Sequence, residues 1–115
     1  MLLETTGGKL EFEPAQLASV GKLAMIARLL HNLKGAYLRG NDDERALAAV
    51  DRLLVVDPEN AEEIRDRGLL LFRLKRHGQA LDCLSRYLER IPVARDRETV
   101  ERHVKTLRRI LADLN

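Results

Sequence analysis

Apolar residues recur at helical spacing along most of this chain. In the first such segment they follow a helical spacing, at Leu17, Val20, Leu23, Ala24, Ala27, Leu30 and Leu33. Pro14 suits the first position of a helix, where its missing N–H costs nothing. The pattern therefore predicts helix from Pro14 onward, and it leaves open whether Gly21 divides this stretch into two helices.

Turn-forming residues separate four further predicted helices. Gly40-Asn41-Asp42 ends the first segment, Pro58 closes the second, and His77-Gly78 interrupts the chain again. The further helices are predicted to cover about 44–56, 61–74, 79–90 and 96–114. Residues 1–13 contain Gly7-Gly8 and no helical period, with a short extended piece at 10–12. The whole pattern predicts an all-α fold.

The second and fourth helices belong to a repeat of 34 residues. The residue pairs with this separation are Ala46 and Ala80, Leu47 and Leu81, Arg52 and Arg86, Leu54 and Leu88, and Pro58 and Pro92. A helix–turn–helix unit of this length resembles the tetratricopeptide repeat (TPR). The resemblance implies a TPR-like α-α superhelix of two helical hairpins, 27–60 and 61–94. Residues 1–26 then form an N-terminal extension and helix, and 95–115 a C-terminal capping helix.

Two residues depart from the tetratricopeptide pattern. Lys34 stands where the pattern has a small residue, and Arg67 where it has Leu. We expect both side chains to run along the apolar surface and place their charges in solvent.

A closer resemblance explains these departures. The strings His31–Arg39 (HNLKGAYLR) and Ile64–Leu70 (IRDRGLL) are similar to the C-terminal part of bacterial SirB-type transglutaminase-like/TPR proteins, over residues 28–115. In that family a catalytic domain with a Cys-His-Asp constellation precedes the repeats, and no part of this chain matches it. The resemblance implies a module without catalytic residues, either the tail of a longer protein or a stand-alone relative of that tail.

The first helices of successive hairpins line a concave groove in such a fold. The equivalent positions here are Arg28, His31, Gly35, Leu38 and Arg39, followed by Glu62, Arg65, Leu69, Phe72 and Arg73. They predict an apolar floor flanked by cations, which fits a protein or peptide segment bearing carboxylates and an apolar side chain. Two alternatives stay open: the arginines only solvate the surface, or residues 1–13 fill the groove.

Composition adds little chemistry to this picture. Net charge is +2, and Cys83 is the only cysteine, so no disulfide framework exists. Cys83 has no histidine at an activating spacing, and His31, His77 and His103 lie in different parts of the predicted fold, which argues against catalysis, a bound metal or a cofactor. No apolar run approaches the roughly 20 residues that span a bilayer. We expect a cytoplasmic, non-catalytic interaction or scaffold protein.

Two other functions remain as alternatives. The basic second half suggests nucleic-acid binding through Arg65, Arg73, Arg76, Arg102, Arg108 and Arg109, although interleaved carboxylates and the lack of stacking aromatics argue against it. Two hairpins are fewer than the three or so repeats that usually give a continuous core. Homodimerisation is therefore the second alternative.

Overall fold

The computed structural model describes residues 14–114, and its regular elements there are five α-helices. They are α1 (Pro14–Arg39), α2 (Asp43–Val56), α3 (Ala61–Arg73), α4 (His77–Arg90) and α5 (Arg97–Asp113). The predicted all-α, TPR-like fold is confirmed, and α1 continues through Gly21 as one helix. The predictions for residues 1–13, including the extended piece and the filling of the groove, lie outside the described residues.

The break predicted at His77-Gly78 lies instead at residues 74–76. α4 already begins at His77, and the chain turns at Lys75, whose φ is 62°. A left-handed backbone at a lysine is uncommon, so the residue type gave no turn signal. Gly78, which did give one, lies in the first turn of α4.

The repeat of 34 residues is visible in the backbone. Asn41, with φ of 56°, is the equivalent of Lys75 in the first hairpin. The same long-range turn bond follows in each, from Asp42 N to Tyr37 O and from Arg76 N to Leu71 O, both 2.9 Å. The α1–α2 and α3–α4 turns are therefore one turn used twice.

Each helix packs on its neighbour in the chain, and the small residues set how closely. Ala46 on α2 and Ala80 on α4 are both fully buried. Gly68 on α3 lies so close to α4 that an added Cβ would be 2.7 Å from Leu84 Cδ2. The core that these contacts enclose consists of Ala46, Leu47, Val50, Ile64, Leu70, Leu71, Ala80, Cys83, Leu84, Tyr87, Val100, Val104 and Leu107.

The contact at Gly68 gives the first prediction. Gly68→Ala should destabilise the protein by about 1–3 kcal/mol, because Leu84 has to move and overpacking outweighs the gain in helix propensity. Gly21→Ala is the matched control, since nothing lies within 4 Å of its added Cβ, and it should gain up to about 1 kcal/mol. Urea denaturation measures both. A Gly68→Ala protein as stable as Gly21→Ala would contradict the close packing.

Candidate binding site on the concave face

The first helices of the hairpins, α1 and α3, form the floor of the candidate site. Leu38, Leu69 and Phe72 are partly buried and pack against the core. The ring of Phe72 meets His77 edge-on at 6.1 Å and His103 of α5 at 5.3 Å between centroids. The three predicted floor residues are therefore all partly buried against the same core.

The α5 side of this surface was not predicted from the sequence. A depression of about 280 Å³ is lined by Phe72, Thr99, Arg102, His103 and Thr106. Thr99, His103 and Thr106 lie one repeat length beyond Arg65, Leu69 and Phe72. Applying the same positions of the 34-residue repeat to α5 would have identified these three residues. The repeat was not recognised there because charged residues occupy the positions that are apolar in the first two units.

Two of the predicted cations are held within the protein. Arg65 contacts Asp66 and Asp96, with Nη1 3.1 Å from Asp96 Oδ2, and its guanidinium lies 5.8 Å from the centre of the Tyr87 ring. Arg73 bonds both carboxylate oxygens of Asp43, at 2.7 and 3.2 Å. Both guanidinium groups are therefore already paired with carboxylates of the protein, although the Arg73 side chain is still about half exposed.

The cations on the α1 edge are arranged differently. Arg28 and Arg39 are exposed, and among residues 14–114 neither has an ion-pair partner. His31 is exposed as well, with Nδ1 3.9 Å from Glu63 Oε2. The Arg102 guanidinium of α5 donates to the Thr99 hydroxyl at 3.3 Å and has no ion-pair partner among residues 14–114. Of the predicted groove arginines, the two on α1 are therefore unpaired among residues 14–114, and the two on α3 are paired with carboxylates.

Lys34 does not place its charge in solvent as expected. Only 9% of the residue is exposed, and its Nζ lies 2.7 Å from Glu63 Oε1 and 2.6 Å from Asp66 Oδ2. The ammonium of α1 thus sits between two carboxylates of α3. The expectation failed because two acidic partners on the facing helix make burial tolerable.

Continuous polar contacts extend from Lys34 across the face to α5. Asp66 binds both Lys34 and Arg65, Arg65 reaches Asp96, and the Tyr87 hydroxyl donates to Asp96 at 2.6 Å. We call these five residues, with Glu63, the charge network. It joins α1, α3, α4 and the start of α5.

The charge network shifts the pKa values of its members. Burial alone would lower the pKa of Lys34, but its hydrogen bonds to Asp66 and Glu63 outweigh burial and raise it. Burial alone would raise the pKa of Asp96, but the hydrogen bonds from Tyr87 and Arg65 have the larger effect. The pKa of Asp96 is therefore lowered. Burial and then Asp96 raise the pKa of Tyr87. The raised pKa of Lys34 and the lowered pKa of Asp96 both favour the charged form of the side chain.

Arg67 also has a role inside the stack. Its Nε donates to Asp51 of α2 at 2.8 Å and its Nη1 to the buried Cys83 Sγ of α4 at 3.0 Å. The same three residues line a second depression of about 250 Å³. The side chain that breaks the tetratricopeptide pattern therefore bridges the two hairpins.

Other partner classes gain no specific support. Of the six basic residues considered for nucleic-acid binding, Arg65, Arg73 and Arg76 are all engaged by carboxylates. No helix in residues 14–114 is long and apolar enough to cross a membrane. The same residues hold no group of three side chains placed to ligate a metal ion.

The chain is similar in sequence to known repeat proteins. The tetratricopeptide repeat family model matches residues 33–105. A UPF0162 protein of Xylella fastidiosa is 34% identical over 83 residues, which are 72% of this chain and 30% of that protein. UPF0162 protein YchA of Escherichia coli K12 is 37% identical over 76 residues, 66% of this chain and 28% of YchA. Protein SirB1 of Salmonella typhimurium is 34% identical over 83 residues, 72% of this chain and 31% of SirB1. The chain thus spans less than a third of the length of these relatives.

Removing the Lys34 charge tests the charge network. Lys34→Met should lose about 3–5 kcal/mol of unfolding free energy, because Glu63 is left buried without its partner. The double variant Lys34→Met/Glu63→Met should recover much of this loss, since the buried carboxylate is gone as well. Urea denaturation of both variants measures the coupling. A single variant within about 0.5 kcal/mol of wild type would contradict the network.

Asp96 gives a prediction of pH dependence. Its folded pKa lies below the ordinary 3.8, so its stabilising contribution is present above that value and is lost as pH falls through the folded pKa. Asp96→Asn should therefore be about 1–3 kcal/mol less stable than wild type at pH 6. This difference in unfolding free energy should disappear in strong acid, where Asp96 is protonated. Asp82→Asn, at an exposed carboxylate of α4, is the control and should show no such difference. A difference in unfolding free energy between Asp96→Asn and wild type that persists below the folded pKa of Asp96 would disprove this role.

Proposed function

Because this chain belongs to the tetratricopeptide repeat family, we propose that it is a protein-interaction module whose concave face binds an acidic segment of a partner. The observation that carries the proposal is the distribution of charge on that face. Arg28, Arg39 and Arg102 have no carboxylate partner among residues 14–114, and the predicted floor consists of Leu38, Leu69 and Phe72.

The chemistry of the bound segment follows from this distribution. Guanidinium groups form charge-assisted, bidentate bonds with carboxylates. The partly exposed floor offers a place for one apolar side chain, and the depression beside it is lined by both Phe72 and Arg102. The preferred segment therefore carries carboxylates on either side of an apolar residue. Arg65 and Arg73, although they were part of the predicted groove, shape the face instead of binding the segment.

The module has no chemistry of its own in this proposal. Cys83 is buried and its sulfur accepts a bond from Arg67, which fits a packing residue better than a nucleophile. The chain acts through its surface, as a cytoplasmic scaffold.

Selection from displayed random peptides tests the site. Wild-type protein should enrich sequences with at least two carboxylates flanking an apolar residue, and binding should weaken as salt rises. Arg28→Glu/Arg39→Glu should abolish this enrichment.

The matched control reverses the same number of charges on the other face. Arg52→Glu/Arg86→Glu changes exposed arginines of α2 and α4 that are one repeat apart and should leave the enrichment intact. If both double variants behave alike, or if selected peptides lack carboxylates, the concave face is not the site.

We further propose that the module acts beside a transglutaminase-like catalytic domain of a longer protein. The 34% identity to SirB1 over 83 residues supports this, as does the fact that the matched segment is only 31% of SirB1. The coding sequence upstream of Met1 tests it. An in-frame transglutaminase-like domain would support the proposal, and its absence would contradict it.

A further inference from the structure

The outward face of α1 carries an apolar stripe that is exposed in the described part of the chain. Met25, Ile26, Leu29 and Leu33 are 73, 47, 57 and 36% exposed, and Ala36 continues the row. We call these five residues the α1 stripe. Their spacing of three and four residues places them on one side of the helix. α1 packs on α2 through another side, which includes the buried Leu30.

The other end of the stack has the opposite character. On α5, residues at nearly the same spacing are Glu98, Arg102, Lys105 and Arg109, and all four are exposed. A helical repeat protein keeps its terminal faces polar, because an open apolar face draws other molecules. The α5 end thus has the composition of a terminus, and the α1 end has the composition of an internal contact.

We propose that the α1 stripe is the interface of a symmetric dimer in which α1 packs antiparallel to α1 of a second copy. With the two-fold axis at Leu29, Met25 of one copy lies opposite Leu33 of the other. Lys22 then lies opposite the small Ala36, which leaves room for the long lysine stem. The stripe is complementary to itself in this arrangement, as a two-fold interface requires.

The charges of α1 permit this pairing. α1 contains no carboxylate, so repulsion between its basic residues is the main obstacle. Lys22 is seven residues from Leu29, which puts the two Lys22 groups about 21 Å apart along the axis, well beyond a Debye length of about 8 Å. Arg28 and Arg39 lie roughly a quarter turn around the helix from Leu29, toward the concave face.

Dimerisation also completes the stack. Two hairpins give a short core, whereas two copies joined at α1 give four hairpins with a continuous apolar interior and a polar α5 at each end. A two-fold contact of this kind closes on itself and does not propagate. The inference is independent of the proposed peptide site, because the concave face remains open in both copies.

The size of the interface sets the expected affinity. The four large residues of the stripe together expose about as much as two fully exposed side chains. Such an interface is smaller than those of stable complexes and is typical of weak, transient ones, so the dissociation constant should be on the order of tens of micromolar or weaker.

Sedimentation velocity of the full chain under reducing conditions tests the dimer. Between about 5 and 500 µM the wild-type mass should rise from 13.1 kDa toward twice that value. Leu29→Glu should weaken the association at least tenfold, and Met25→Glu should do the same. Both positions are exposed, and circular dichroism should show helix content unchanged. Val93→Glu, at a residue 92% exposed between α4 and α5, is the control and should associate like wild type.

Two results would overturn the inference. One is a wild-type protein that stays monomeric over the whole range. In that case a variant lacking residues 1–13 identifies the cause of the monomeric state. If only this shortened chain associates, residues 1–13 occupy the α1 stripe in the wild type. The other is a Leu29→Glu protein that dimerises as strongly as wild type, which would place the interface elsewhere.

Discussion

The shape of this protein depends on the Lys34 ammonium, which lies between Glu63 and Asp66. Helices α1 and α3 belong to different hairpins, and each packs directly on its chain neighbours. Lys34 provides the polar link between the two, with Nζ within 2.7 Å of both carboxylates. Since a buried charge is stable only when it is well paired, this contact favours one relative placement of the hairpins. The geometry of the concave face follows from that placement.

The same network decides which charges remain for binding. Arg65 would be the central cation of the groove, but Asp66 and Asp96 hold it, and Tyr87 lies beneath it. Positive charge is therefore left on α1 and α5. The two ends of the stack divide in a similar way, with an apolar α1 and a charged α5.

The sequence was sufficient for the fold because its signals are local and repeated. Ala46 and Ala80 predicted the close approach of helices, and both are fully buried. Pro58 and Pro92 marked the ends of α2 and α4. It was not sufficient for the side-chain contacts, which depend on the distance between hairpins. Lys34 and Glu63 are 29 residues apart, and no periodicity relates them. The turn at Lys75 was missed because lysine rarely adopts positive φ. The contribution of α5 to the candidate site was missed because α5 lacks the apolar residues that mark the first two repeat units.

The most direct test of this account is a distance between the hairpins, measured by pulsed electron paramagnetic resonance. Spin labels at Ala48 and Asp82, which are exposed and one repeat apart, would report it in a Cys83→Ala background. The account predicts a single narrow distance distribution with Lys34 present and a markedly broader one in Lys34→Met, at a temperature where both proteins remain helical. An equally narrow distribution at the same distance in Lys34→Met would show that apolar packing alone places the hairpins, and it would contradict the central role given to the charge network.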